Sequence, residues 1–144
     1  MICNSVQETK IFASGLSKKF QKGQVIALNG DLGSGKTTFS QGIAEGLGIE
    51  QHVGSPTFKL VSEYSGEIIR LYHVDCYRLN NSDEFLNLGG ENLLLPDNGI
   101  TLIEWANIIQ ELLPEDVIEI VFSRVKGEPN KRLLKIRGMD QSNE

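Results

Sequence analysis

Hydrophobic positions along the chain change repeatedly between the spacing of helices and the spacing of strands. Ser5 and Glu8 resemble a capping box, which predicts that a helix starts there. Its apolar positions follow at helical spacing: Ile11, Phe12, Leu16 and Phe20. The apolar run at residues 25–28 predicts a buried strand, and a second helix is predicted from Thr37 to Leu47. The chain therefore opens with a helix, a strand and another helix.

The second half of the chain has shorter apolar runs, separated by turn residues. It first predicts a hairpin of two strands, at 58–64 and 68–77. A helix that starts at 81–84 follows, with Phe85, Leu86 and Leu88 as its apolar face, and then a strand at 100–103. The last predicted elements are a short helix at 108–113, stopped by Pro114, and a hairpin of residues 117–125 and 131–137. Hairpins combined with one strand–loop–helix unit predict an α/β fold, in which helices flank a mixed β-sheet that ends in a C-terminal β-hairpin. A single domain over residues 1–144 is expected at this length.

The loop between the first strand and the second helix carries the clearest chemical signal. From Gly30 to Thr37 it reads G-x-x-x-x-G-K-T, the pattern of a phosphate-binding loop. Its glycines permit positive φ and allow the backbone amides to approach phosphate oxygens. Lys36 is then expected to reach the β- and γ-phosphates, and the Thr37 hydroxyl to enter the shell of a Mg²⁺ ion. The strand before the loop and the helix after it make a chance match improbable. The sequence therefore predicts that the chain binds a nucleoside triphosphate.

Composition narrows the class of protein further. Apolar residues make up 40% of the chain and charged residues 23%, which is typical of soluble globular proteins. No apolar run is long enough to span a bilayer, and no signal peptide is visible, so we expect a cytoplasmic protein with reduced thiols at its two cysteines. The net charge of −5 argues against direct nucleic-acid binding. The nearest basic cluster is interpreted as a solvated strand edge: Lys131, Arg132, Lys135 and Arg137, with Arg132 on a different face from the others.

Triphosphate chemistry with Mg²⁺ needs an acid beyond the loop, and two candidates follow buried strands. Glu104 closes the apolar run 100–103, where it could hold the metal or only favour a helix N-terminus. Asp75 could assist catalysis, or it could pair with Arg78 or cap a turn amide. His73 is expected to be a packed, hydrogen-bonded side chain, and Trp105 a partly buried packing residue.

The segment Gly54-Ser55-Pro56-Thr57-Phe58 lies where many nucleotide switches place a loop that senses the γ-phosphate. Thr57 could touch Mg²⁺ or the γ-phosphate. A simple proline-containing turn is the alternative interpretation.

Four motifs in this order resemble the TsaE (YjeE) family: residues 30–38, Ser-Pro-Thr-Phe at 55–58, His-Val-Asp-Cys-Tyr-Arg at 73–78 and Leu-Ile-Glu-Trp at 102–105. The resemblance runs from the first helix through Trp105, with mild departures at Lys59 and Cys76. It implies a bacterial ATPase needed to make N6-threonylcarbamoyladenosine in tRNAs that read ANN codons. It also implies partners similar to TsaD and TsaB, with tRNA contacted only through that complex and ATP hydrolysis resetting the complex between rounds.

The resemblance also implies roles for individual residues. Lys36, Asp75 and Glu104 would be catalytic, and Thr37 with Glu104 would hold Mg²⁺. The positions expected to bind ATP are Asp31, Leu32, Gly33, Ser34, Gly35, Lys36, Thr37, Thr38 and Thr57. The residues that would contact the adenine are not identified by the motifs.

Two other functions remain open on the sequence alone. A small phosphotransferase would need an acceptor pocket and an arginine-rich lid, whereas Arg78 is the only arginine near the middle of the chain after Asp75. A nucleotide-gated binding module would hardly hydrolyse ATP at all. A GTPase is disfavoured because no N-K-x-D run is present. No free-standing arginine finger is evident, so slow hydrolysis that partners accelerate is the expectation.

Overall fold

The computed structural model describes residues 1–31, 33–54 and 60–139. The strands of this part of the chain are β1 (Ile2–Cys3), β2 (Val25–Gly30), β3 (Val61–Ser65), β4 (Arg70–Asp75), β5 (Gly99–Glu104), β6 (Ile118–Val125) and β7 (Glu128–Arg137). The helices are α1 (Val6–Ser17), α2 (Lys36–Gly46) and α3 (Ser82–Asn87), with 3₁₀ helices at Gly90–Leu94 and Ala106–Leu112.

The strands form one seven-stranded mixed sheet in the order β1-β7-β6-β2-β5-β4-β3. Strand β2 pairs in parallel with both β5 and β6, and β4 pairs in parallel with β5. The pairs β3–β4 and β6–β7 are antiparallel hairpins, and β1 adds to β7 in the antiparallel sense. The predicted mixed sheet and its C-terminal hairpin are therefore confirmed. Because β2, β4 and β5 run in the same direction, their carboxyl ends meet at one edge of the sheet.

Each face of the sheet has its own hydrophobic core, because strand side chains alternate between the faces. On one face α1 and α2 pack over residues such as Ile26, Leu28 and Leu102. On the other face α3 and the second 3₁₀ helix pack over Val25, Ala27 and Ile103. Strand β5, which lies between β2 and β4, is buried along its whole length. The end of β5 is consequently held rigidly from both sides.

Three residues that were predicted to lie on the buried faces of helices are exposed, so these predictions are wrong. Ile11 of α1 is exposed, whereas Leu16 is buried as predicted and Thr9 and Ala13 complete the inward face. Of the three apolar positions predicted for the next helix, only Phe85 is buried, whereas Leu86 and Leu88 are exposed, because a six-residue helix packs a narrow stripe. The short strand β1 and the 3₁₀ helix at Gly90–Leu94 were not predicted. The other elements match the predictions to within a few residues, although the helix before Pro114 is a 3₁₀ helix with a kink at Ile109.

Helices α1 and α2 pack unusually closely because α2 presents glycine to its neighbour. A Cβ atom at Gly42 would lie 2.6 Å from the Lys10 carbonyl oxygen and 2.7 Å from the Ala13 Cβ. A Cβ atom at Gly46 would lie 2.5 Å from the Ser14 carbonyl oxygen. These distances are shorter than carbon and oxygen atoms tolerate, so the contact requires glycine at both positions. The N-terminal helix is therefore fixed to the helix that follows the phosphate loop.

We expect Gly42→Ala to lower the free energy of unfolding by about 1–3 kcal/mol, because the new methyl group must displace the backbone of α1. Gly15 is the matched control, since it lies in α1 with open space around it. Gly15→Ala is expected to raise stability by about 0.5–1 kcal/mol through helix propensity alone. Urea unfolding of both variants measures the difference. Equal stabilities of Gly42→Ala and the parent would contradict the close contact.

Candidate functional site

The phosphate loop has the backbone that its glycines predict. Gly30, Gly33 and Gly35 have φ values of 151°, 74° and 107°, all in the region that disfavours other residues. A Cβ atom at Gly30 would also lie 2.6 Å from the Phe122 carbonyl oxygen of β6. Helix α2 begins directly after Gly35, so its first amides face the loop. The loop thus has the shape and polarity of an anion-binding site.

Lys36 is nearly buried, and its ammonium lies inside the loop. The Nζ atom donates to the carbonyl oxygens of Gly30 at 2.6 Å and Asp31 at 2.9 Å, and it lies 3.4 Å from Ser34 Oγ. Burial lowers the pKa of Lys36, and the nearby carboxylates of Glu104, Asp31 and Asp75 oppose that shift. The Lys36 ammonium is therefore held inside the loop, where it would lie next to a bound phosphate.

The carboxylate of Glu104 connects the phosphate-loop helix to strand β4. Thr37 Oγ1 donates to Glu104 Oε1 at 3.3 Å, and His73 Nε2 lies 2.5 Å from Glu104 Oε2. Both Glu104 and His73 are buried. Within the described residues His73 Nδ1 has no hydrogen-bond partner, so a proton on Nε2 leaves only a lone pair unpaired. His73 and Thr37 together fix the plane of the carboxylate.

Asp75, the other predicted acid, ends strand β4 beside Glu104. The two residues are register partners in the parallel pair β4–β5. Asp75 Oδ1 accepts a hydrogen bond from the Tyr77 amide at 2.9 Å, which agrees with the turn-capping interpretation. The side chain also lines the cavity that Lys36 and Thr37 line. Asp75 therefore caps a turn amide and also lies at the candidate site.

Trp105 turns the chain sharply at the end of β5. Its φ of 58° is the only positive value at a non-glycine residue in the described part of the chain. The ring of Trp105 lies 4.2 Å from Lys36 Nζ, and its centroid lies 5.0 Å from that of Tyr77. An ammonium at this distance over an indole face is attracted by the ring electrons. The strained backbone thus places an aromatic wall against the Lys36 ammonium.

A cavity of about 580 Å³ opens over the phosphate loop. Its lining includes these predicted site residues: Gly33, Gly35, Lys36, Thr37, Thr38, Asp75 and Glu104. The start of α1 supplies Ser5, Val6 and Thr9 at the wall. Strand β7 supplies Pro129, Asn130 and Arg132. Sequence motifs gave no signal for either of these last two groups.

Arg132 corrects the interpretation of the C-terminal basic cluster as a solvated edge. Its Nη2 atom donates to the Gly33 carbonyl oxygen at 3.3 Å, although 99 residues separate the two. Its Nε atom is buried and has no hydrogen-bond partner among the described residues. Arg124 is the register partner of Arg132 in the hairpin, and its guanidinium packs over Gly33. The predicted change of face at Arg132 was the available signal, but it did not indicate the phosphate loop.

Other predicted positions contribute less to the site, or lie outside the described residues. Asp31 contributes its carbonyl oxygen to Lys36, and Ser34 is buried beside the same ammonium. Leu32 and the segment 55–59, which includes Thr57 and Lys59, lie outside the described residues. Burial raises the pKa of the Cys76 thiol to about 12, so this thiol stays protonated at neutral pH. Cys3 and Cys76 are both free and buried, which agrees with the expectation of reduced thiols.

We expect His73→Leu to lower the free energy of unfolding by about 3 kcal/mol, because it leaves the buried Glu104 carboxylate without its closest partner. His73→Gln is expected to lose less, since the amide can still donate to that oxygen. Chemical unfolding measures both. A His73→Leu variant as stable as the parent would show that the contact between His73 and Glu104 contributes nothing.

Comparison with known proteins agrees with this geometry. The family model described as "Threonylcarbamoyl adenosine biosynthesis protein TsaE" matches residues 3–133. The tRNA threonylcarbamoyladenosine biosynthesis protein TsaE of Bacillus subtilis is 43% identical over 118 residues, covering 82% of this chain and 73% of that protein. The protein of the same name from Treponema pallidum is 34% identical and covers 92% and 96% respectively. The one from Rickettsia bellii is 39% identical and covers 94% and 92%.

The crystal structure of Bacillus subtilis YdiB shows the same fold. It superimposes with a TM-score of 0.73 at 36% sequence identity, over 94% of this chain and 82% of that chain. A phosphate loop, a paired acid at the end of β5 and a family match over most of the length lead to one conclusion. The chain belongs to the TsaE family of tRNA threonylcarbamoyladenosine biosynthesis proteins.

Proposed function

We propose that this protein binds Mg·ATP at the phosphate loop and hydrolyses it in support of threonylcarbamoyladenosine formation on tRNA. The observation that supports this most directly is the arrangement of Thr37, Glu104 and Lys36. A hydroxyl and a carboxylate lie 3.3 Å apart, beside a buried ammonium in the loop. That set of groups matches what a metal-chelated polyphosphate needs.

The residues present fit a magnesium ion of the kind that nucleotides carry. Magnesium usually takes one or two carboxylates, substrate phosphates and water, rather than a cage made only of protein groups. Within the described residues no cluster of three or more His, Cys, Asp or Glu side chains forms such a cage. Thr37 and Glu104 would hold the ion, which would neutralise phosphate charge when bound. His73 would keep the Glu104 carboxylate turned toward it.

The base and sugar of the nucleotide would occupy the end of the cavity between α1 and β7. That end is lined by Ser5, Val6 and Thr9 on one side and by Pro129 and Asn130 on the other. A phosphate group or the ribose there would give the buried Arg132 Nε atom the acceptor that the described residues do not supply. The adenine would then contact residues that the motifs did not identify.

Hydrolysis would use the acids at the ends of the parallel strands. Asp75 faces the cavity close to Glu104, where it would orient the attacking water. Lys36 would neutralise charge on the transferred phosphate, and Arg132 would add a second positive group from the hairpin. As the sequence shows no free-standing arginine finger, turnover is expected to be slow until a partner completes the site.

The partners would be proteins similar to TsaD and TsaB, and tRNA would be met only through that complex. The transfer of the threonylcarbamoyl group would take place on the TsaD-like protein, and ATP hydrolysis here would reset the complex. In the described part of the chain, no helix has the length and apolar character needed to cross a bilayer. We propose that the protein acts in the cytoplasm, where tRNA and ATP are found.

Titration calorimetry with Mg·ATP tests the binding site. The parent is expected to bind, whereas Lys36→Ala should lose at least about 100-fold in affinity, because a buried charge-assisted contact to phosphate is removed. Glu104→Gln should retain nucleotide binding without Mg²⁺ but lose the gain that Mg²⁺ gives the parent. Undiminished binding of Mg·ATP by Lys36→Ala would refute the proposal.

Hydrolysis with and without the TsaD–TsaB-like complex tests the activity. We expect free phosphate to be released slowly by the protein alone and at least about tenfold faster in the complex, in line with the rate that a missing transition-state group can supply. Asp75→Asn should remove most of this stimulation while preserving nucleotide binding. Transfer of the γ-phosphate to a small acceptor would instead identify a kinase. No hydrolysis under either condition would identify a nucleotide-gated binding module.

A further inference from the structure

Acidic and basic residues are distributed unevenly along this chain. Between Leu79 and Ser123 there are nine of the nineteen acidic residues and none of the fourteen lysines and arginines. That segment therefore carries a charge of −9, and the rest of the chain carries +4. The net charge of −5 hides this division. It is large enough to produce a field of one sign over the surface that the segment forms.

The acidic segment contributes strands to the sheet and also a layer that covers it. The strands are β5 and most of β6, and the layer consists of α3 and both 3₁₀ helices. Ser82 of α3 hydrogen-bonds to Glu111 at the second 3₁₀ helix, which holds these elements together. The layer covers the sheet face opposite α1 and α2, as the two hydrophobic cores show. Apart from Glu104 in β5 and Glu119 in β6, the acidic residues of the segment therefore lie outside the sheet strands, in this layer and its adjoining loops.

The same layer exposes large apolar side chains. Leu86, Leu88 and Leu95 are 37%, 62% and 77% exposed. All three lie within ten residues of one another, around α3 and the first 3₁₀ helix. Exposed carboxylates at Asp83, Glu91 and Asp97 lie in the same segment. We call these six residues the acidic leucine surface. Apolar groups within a ring of like charges are typical of protein-binding surfaces.

We propose that the acidic leucine surface is where a partner protein docks, through a patch of apolar side chains ringed by lysine and arginine. Charge complementarity selects this partner, because the carboxylates of this layer have no lysine or arginine between Leu79 and Ser123 to offset them, so they repel nucleic acid and attract a basic protein surface. The surface also reaches the nucleotide cavity, since Leu88 lines that cavity together with Tyr77. A partner held there would contact the mouth of the site directly. The inference rests on the proposed function, which supplies the need for a protein partner.

Association of the full chain with the TsaD–TsaB-like complex of the same organism tests the proposal, in the presence of Mg·ATP. Leu86→Ser combined with Leu95→Ser should weaken binding by at least about tenfold, because apolar anchors carry most of the binding energy. Ile11→Ser combined with Ile68→Ser is the matched control. Those two isoleucines are 61% and 80% exposed and lie outside the surface. The control pair should change affinity by less than about twofold.

A charge-reversal pair separates electrostatic attraction from apolar contact. Glu91→Lys combined with Asp97→Lys should slow association by about tenfold at low salt, and the difference should shrink at high salt, where charges are screened. Glu45→Lys combined with Glu50→Lys is the control, since both glutamates are exposed at the end of α2. It makes the same change in net charge away from the surface. None of the eight substituted residues lines the nucleotide cavity, so all variants should bind Mg·ATP like the parent.

The possible results lead to different conclusions. Weaker binding by the two surface pairs alone supports the proposal. Equal effects of surface and control pairs, or no effect of either, would overturn the docking surface and leave the proposed function intact. If the parent itself does not associate with the complex while still binding Mg·ATP, the proposed role with these partners fails, and the docking surface fails with it.

Discussion

The contact on which the site depends is the buried Glu104 carboxylate, shared between Thr37 and His73. Removing a carboxylate from water is costly unless hydrogen bonds replace the lost hydration. Here a hydroxyl from the phosphate-loop helix and an imidazole from β4 replace it. These two donors come from elements on either side of β5. The same contact therefore stabilises the acid and brings three parts of the chain to one point.

Parallel pairing explains why this contact forms at the edge of the sheet. Glu104 is the register partner of Leu28 in β2 and of Asp75 in β4. The phosphate loop starts two residues after Leu28, so the loop and both acids reach the same edge. A shift of one residue in either pair would turn an acid to the opposite face. The hydrophobic burial of β5 thus sets the position of polar groups at its end.

Local patterns were sufficient to predict most of the fold and the centre of the site. The phosphate loop depends on glycine conformation within eight residues, and the strands and helices depend on spacing within about ten. The pairing of residues distant in sequence was not predictable in this way. Arg132 reaches Gly33 only because β7 pairs with β6 and β6 pairs with β2. The exposure of Leu86 was likewise not predictable, because it depends on tertiary packing. Of the apolar residues of α3, only Phe85 belongs to the hydrophobic core on this face of the sheet.

The close contact between α1 and α2 has a mechanical consequence. Because positions 42 and 46 are glycine, no side chains of α2 separate the two helices there. The helices therefore cannot shift relative to each other by rearranging side chains between them. A rotation of α2 would carry the N-terminus of α1 with it as one lever. The two walls that face each other across the cavity belong to this lever and to the hairpin. A wider cleft would therefore require the hairpin β6–β7 to move against the hydrogen bonds that join β6 to β2.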